Sequence, residues 1–163
     1  MTTETQPHAL PKPRPEDVVS PDTIIKAMYE CISGPAGKRN WHRLRSLYLE
    51  GARLIPTGKR LHKEGGLPQV MSIDEWIEDV QGYFAENDFY EKEILRHTDR
   101  FGNIIQAFST YEARNDLESA PIARGINSFQ LLEHEDRWWI VTVIWDNESK
   151  DNPIPEEFLP YLW

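Results

Sequence analysis

Apolar residues recur at helical spacing in three stretches of the first half of the chain and at strand-like density in the second half. Ile24, Ile25, Met28 and Ile32 follow Ser20, Pro21 and Asp22. A hydroxyl cap, a proline at the first helical position and an acid facing the helix dipole start a helix there. Ser33, Gly34 and Pro35 end it. Trp41, Leu44, Leu47 and Tyr48 fall on one stripe and predict a second, short helix, stopped by Glu50 and Gly51 before an extended run over residues 52–55. Residues 56–69 carry Gly58, Gly65, Gly66 and Pro68 and read as a long loop or loose hairpin. Ser72 and Glu75 make a capping box for a third helix that runs through Trp76, Ile77, Val80, Tyr83 and Phe84 and stops near Asn87.

Beyond Phe89 the pattern becomes four β-rich runs, at residues 89–101, 104–114, 122–134 and 138–146. Gly102 and Asn103, residues 115–121, and Glu135 with Asp136 connect them with turn chemistry, which predicts an antiparallel meander and an α+β domain. The last two runs are apolar on both alternations. Ile126 and Leu132 oppose Phe129 and Leu131, and Trp138, Ile140 and Ile144 oppose Trp139, Val141, Val143 and Trp145. A sheet with a single core has one polar face, so something covers the second face too. A second copy of the chain is the first expectation. The C-terminal segment 153–163, with Phe158, Leu159, Tyr161, Leu162 and Trp163, is the other.

Composition refines this picture. The chain's 163 residues suit one domain. Four prolines among polar neighbours in residues 1–19 predict a disordered tail, an ordered domain over 20–149 and an apolar tail over 150–163, packed on the domain or on a partner. A net charge of −9 argues against nucleic-acid and anionic-membrane partners. The densest basic stretch, residues 38–45, is interrupted by Asn40, Trp41 and Leu44 and reads as a helix with a solvated face. Cys31 is the only cysteine, and the N-terminus lacks the layout of a secretion signal, so a reducing, cytoplasmic setting is expected.

The runs STYEAR (109–114), RGINSFQLL (124–132) and RWWIVTVIWD (137–146), together with the element order, resemble the nuclear transport factor 2-like superfamily, in particular its SnoaL-like and ketosteroid-isomerase-like branches. The resemblance spans about residues 21–148 and implies a cystatin-like α+β fold. In it a cone-shaped, strongly curved antiparallel sheet wraps around three N-terminal helices and leaves a pocket for small, mostly apolar molecules. On that architecture the second copy expected from the doubly apolar strands makes a homodimer through the convex sheet face. Ile55 or Pro56 stands where the isomerases carry their catalytic aspartate. Met28 stands where they carry an oxyanion-hole tyrosine, with Tyr29 adjoining it, and Asn127 stands where they carry a protonated aspartate. Ordinary ketosteroid isomerisation is therefore not expected.

If Asn127 points into the cone, period-two alternation sends Gly125, Phe129 and Leu131 there, with Ser109, Tyr111, Val143 and Trp145 from neighbouring strands. Tyr48, placed on the second helix, matches a pocket tyrosine of some isomerases. The candidate ligand-binding residues are thus Tyr48, Ser109, Tyr111, Asn127, Phe129 and Trp145. His42 and His97 titrate near neutrality in their ordinary state, and Asp146 ends the last strand at the expected rim. These three are the candidate proton carriers. Each also has a plainer role, as a solvated surface group or strand end, and the tyrosines and Asn127 could equally be core residues with satisfied polar atoms. Arg124 and Glu112 suit a cross-strand ion pair on the convex face. His8, His62 and His134 show no metal-ligand spacing, and no P-loop or dinucleotide glycine pattern occurs in context, so neither metal nor cofactor is expected. Two functions fit. One is a cofactor-independent isomerase, cyclase or dehydratase acting on a small apolar metabolite. The other is a non-catalytic ligand-binding or dimerisation module.

Overall fold

The computed structural model describes residues 10–58 and 68–161. The first nine residues of the expected disordered tail, the loop stretch 59–67 with His62, Gly65 and Gly66, and Leu162 with Trp163 lie outside the described residues. Helices α1 (Pro15–Val18), α2 (Pro21–Ile32) and α3 (Trp41–Arg45) precede strand β1 (Tyr48–Pro56). Helix α4 (Ile73–Glu86) leads into β2 (Tyr90–Phe101), β3 (Ile104–Arg114), β4 (Ala123–His134) and β5 (Arg137–Asn147). A 3-10 turn over Glu156–Phe158 follows.

The capping signals act as predicted. Ser20 accepts from the Thr23 backbone nitrogen, and Ser72 from that of Glu75, each within a reciprocal capping box. Two boundaries differ from expectation. Order begins before Ser20, because α1 is pinned from outside its own sequence. Arg43 Nε and Nη2 donate to Asp17 Oδ2 and Oδ1, both at 2.8 Å, and Val18 is buried against the core. The second helix is shorter than its apolar stripe. Arg137 Nη2 donates to Ser46 O at 2.8 Å and the Ile140 amide to Leu47 O at 2.9 Å, so β5 takes the carbonyls that a longer helix would use. Tyr48 is therefore the first residue of β1 and not a helical residue.

The five strands lie in the order β1-β5-β4-β3-β2. The meander β2 to β5 is antiparallel, and β1 joins it parallel to β5. The inner face carries Ile105, Ala107, Phe129, Leu131, Ile140 and Val143 against Ile24, Ile25, Met28 and Leu44 of the helices. Each fully buried large side chain here contributes roughly 1.5–3 kcal/mol. Two β-bulges re-aim side chains. One falls between Gln130 and Leu131 in the β4–β5 pairing, where Val141 is passed over, and one between Glu93 and Leu95 in the β2–β3 pairing, where Ile94 is passed over.

The outer, convex face is covered in part by the C-terminal segment. Thr110 Oγ1 donates to Phe158 O at 2.6 Å, and the Phe158 ring meets His97 and Phe108 at centroid distances of 5.1 and 5.4 Å. Farther along this face, Phe108, Ile126, Ile144, Asp146, Pro153 and Ile154 border a groove of about 380 Å³. The expected Arg124–Glu112 pair does not form although the residues are register partners. Arg124 instead binds Glu148 and Arg114 binds Glu112, each at 2.8 Å. Within the basic stretch 38–45, Arg43 pairs with Asp17 and Glu30 and Arg45 with Asp74.

Candidate functional site

Polar side chains are sparse on the inner face, and five of them meet at one place. Asn127 Nδ2 donates to Tyr29 Oη at 3.0 Å and to Glu91 Oε1 at 3.4 Å. Tyr29 Oη lies 2.7 Å from Ser109 Oγ, and Ser109 Oγ donates to Glu93 Oε2. Arg96 holds Glu93 through both of its oxygens and also reaches Asp22 at the start of α2. Tyr29 comes from α2, Glu91 and Glu93 from β2, Ser109 from β3 and Asn127 from β4. Asn127, singled out by resemblance, thus touches Tyr29, the residue adjoining the Met28 position where the isomerases carry a tyrosine. Ser109, Tyr29 and Asn127 are buried.

Glu91 is the chemically distinctive member. Burial pushes its carboxyl up to about 7, and the Asn127 amide only partly offsets that by favouring the charged form. A carboxyl in this range exchanges protons readily near neutral pH. Burial, the Glu91 charge and the Glu93 charge together push the Tyr29 hydroxyl well above the usual phenol range, so Tyr29 acts as a hydrogen-bonding group and not as a phenolate. Tyr48 is also displaced upward, chiefly by burial. Burial raises the Cys31 thiol to about 11, which leaves it a small core residue.

Glu91 and Glu93 were not among the residues expected from sequence. The tight hairpin at Gly102 and Asn103 pairs Phe101 with Ile104, and continuing that register unbroken sets Glu93 opposite Glu112 and Glu91 opposite Arg114, on the outer face. The bulge at Ile94 moves both glutamates by one residue, opposite Tyr111 and Ala113, and so onto the inner face. Two glutamates spaced by two in an otherwise half-apolar strand were the available signal, but only the bulge turns them inward.

The sequence-selected residues divide between the faces. Ser109 and Asn127 lie in the cluster. Phe129 is fully buried beside it, with its ring edge against Tyr29 at 6.5 Å. Tyr48 is buried on the inner side at the start of β1. Tyr111 is also buried there, but its hydroxyl donates to Asn147 Oδ1 near the far end of the sheet. Gly125 makes room for that ring, since a Cβ there would collide with the Tyr111 hydroxyl and the Asp146 carbonyl. Trp145 is half-buried, packed on the core and bordering the outer groove. The three candidate proton carriers are elsewhere. His42 is exposed on α3. His97 is exposed on the outer side of β2 against Phe158. Asp146 is exposed beside the outer groove, where it accepts from the Asn147 backbone and from Asn152 Nδ2. Period-two geometry excludes His97 from the cluster, because the residue on its inner-face side is Arg96. Among the described residues no three His, Cys, Asp or Glu side chains come together as a metal site, and no helix is long and apolar enough to cross a membrane.

Solved structures match this fold over most of the chain. A nuclear transport factor 2-like protein of unknown function from Pseudomonas putida superposes with a TM-score of 0.61, covering 85% of this chain and 93% of its own at 6% identity. The chain has the nuclear transport factor 2-like fold. The same architecture recurs in the yeast UBP3-associated protein BRE5, with a TM-score of 0.57, 14% identity and coverage of 79% of this chain and 94% of that one. A putative ketosteroid isomerase from Parabacteroides distasonis gives a TM-score of 0.55 at 12% identity, covering 80% and 89%. At these identities the likeness is one of fold, and the fold hosts unlike activities. No family model and no curated protein matches the chain.

Proposed function

We propose that this protein binds a small, mostly apolar molecule at the inner face and exchanges a proton with it through Glu91, as a cofactor-independent isomerase, cyclase or dehydratase. The observation that carries this reading is a carboxyl raised to about 7 and held by the Asn127 amide, in a polar cluster set on a mostly apolar inner face. A proton carrier works best when its pKa lies near the working pH, and Glu91 meets that condition without a metal or cofactor. Asn127 orients the carboxyl, and Phe129, Tyr48 and Trp145 supply apolar surroundings. His42, His97 and Asp146 have no part in this reading. One solved structure with the same fold is a putative ketosteroid isomerase, which supports this reading.

The test begins with native mass spectrometry of the purified full chain, in which a co-purifying small molecule is expected. Incubating that molecule with the protein in heavy water and following its proton signals by NMR reports exchange. Glu91→Gln should slow the exchange by roughly 10²–10⁴-fold, the usual contribution of a general acid or base. Equal rates for the two proteins would sink the catalytic reading.

A second reading, a dimerisation module, is favoured by the outer face. There Ile104, Phe108 and Ile144 are exposed at 58%, 43% and 38% although they lie in the middle strands or their connection. An apolar strand face of this kind commonly marks an interface, and a second copy of the chain would cover what the C-terminal segment leaves open. The same mass spectra report it as a subunit count of two.

A further inference from the structure

The hydrogen bonds of the inner cluster run in one direction, and one ion pair sets that direction. Arg96 donates from Nε to Glu93 Oε1 and Oε2 at 3.1 and 2.9 Å, and from Nη2 to Oε1 at 2.8 Å. A guanidinium has donors only, so both Glu93 oxygens are acceptors. Ser109 must then give its single proton to Glu93 Oε2. With that proton spent, the 2.7 Å contact between Ser109 and Tyr29 is made by the Tyr29 proton. Tyr29 Oη is left as an acceptor, and the group facing it on Asn127 is the amide nitrogen, at 3.0 Å. The same nitrogen faces Glu91 Oε1.

We propose that Glu93, clamped by Arg96, is a positioning residue that fixes the polarity of the chain through Ser109 and Tyr29 and thereby turns the Asn127 nitrogen, and not its oxygen, toward Glu91. The catalytic meaning of this device rests on the reading of Glu91 given above, whereas the device itself does not. It also accounts for the departure from an oxyanion hole. The Tyr29 proton is committed to Ser109, so Tyr29 braces Asn127 and is not a donor toward a ligand.

The titratable groups that feel Glu91 are Tyr29 on α2 and Tyr48 on β1; Glu93 stands two residues along the same strand, held by Arg96, which Asp22 reaches from the start of α2. Removing the negative charge of Glu93 and nothing else would make Glu91 easier to ionise and lower its midpoint. The relay predicts the opposite sign. In Glu93→Gln the new amide can donate to Ser109, the chain can reverse, and Asn127 can present its oxygen to Glu91, which penalises the carboxylate.

The experiment is a carboxyl-carbon NMR titration of Glu91 in the full chain, assigned by its loss in Glu91→Gln. Glu93→Gln is expected to raise the Glu91 midpoint by about one unit, a tenfold change in the protonation equilibrium. Ser109→Ala, which cuts the chain with no change of charge, should raise it similarly, and Ser109→Thr, which keeps the hydroxyl, should return it toward the parent value. A midpoint that falls or stays fixed in Glu93→Gln, or one that Ser109→Ala leaves unmoved, overturns the relay. None of these readings depends on turnover, so failure of the relay and failure of the proposed proton exchange are separate results.

Discussion

On the inner face of the sheet the few polar side chains are buried and bonded to one another, whereas on the outer face apolar side chains meet solvent beside a short covering segment. Asn127 and Ser109 are at most 5% exposed, while Phe108 and Ile144, on the opposite parity of the adjoining and neighbouring strands, are 43% and 38% exposed. The inversion of the usual pattern is what marks both faces. Buried polar groups are tolerated only when hydrogen-bonded, so the inner cluster is a specified arrangement. Exposed apolar groups in mid-sheet cost little in the isolated chain but are suited to a partner. The proposed chemistry sits on the helix side and the proposed assembly surface on the other, so substitutions on the two faces should have different consequences.

The largest effect is expected from Phe129→Ala. This side chain is fully buried between the sheet and Tyr29, and its truncation should cost about 3–5 kcal/mol in denaturant unfolding. A loss below about 1 kcal/mol would show that the inner face is loosely packed and would remove the rigid wall that the cluster needs.

Glu91→Gln comes next, with an effect opposite in sign. The folded state holds the Glu91 proton up to about 7, whereas an unfolded glutamate releases it near about 4.3. Between these limits the folded state binds more protons, so stability falls as pH rises through this window and stays at its lower value above it. Glu91→Gln should flatten that slope and stabilise the fold at pH 8 by about 2 kcal/mol, a figure reduced for partial exposure. Parallel pH–stability curves for the two proteins would place Glu91 in contact with solvent and dissolve the contrast between the faces.

Ile144→Asp should change stability least, within about 0.5 kcal/mol, and association most. Sedimentation is expected to show a shift from dimer to monomer while the Glu91 titration stays where it was. A parent protein that is already monomeric would leave the outer face with only its C-terminal cover.

Local chemistry made much of this legible beforehand. The capping boxes at Ser20 and Ser72 and the hairpin at Gly102 and Asn103 each act within a few residues, so their signals survive in a linear reading. Alternation along β3 and β4 also survives, and once the resemblance sets Asn127 inward it sends Ser109, Tyr111 and Phe129 to the same side. Features set by distant partners were not legible. Tyr48 left its helical stripe because β5 takes the carbonyls of Ser46 and Leu47, and α1 formed because Arg43 grips Asp17 from 26 residues away.

The sequence by itself determined the element order, the α+β class and the antiparallel meander, because these follow from periodicity and from turn and cap chemistry acting over short spans, whereas the inward parity of β3 and β4 was an implication of the family resemblance at Asn127. Tertiary structure decided which carboxyls face inward. A single bulged residue, Ile94, reverses the facing of Glu91 and Glu93 relative to an unbroken strand, and a strand's side-chain period of two makes that one-residue slip a complete change of side. Burial then raises the proton affinity of Glu91 and the Asn127 amide partly offsets it, and Tyr29 of α2 and Asn127 of β4 come from elements far away along the chain. A pattern read along one strand carries no record of either.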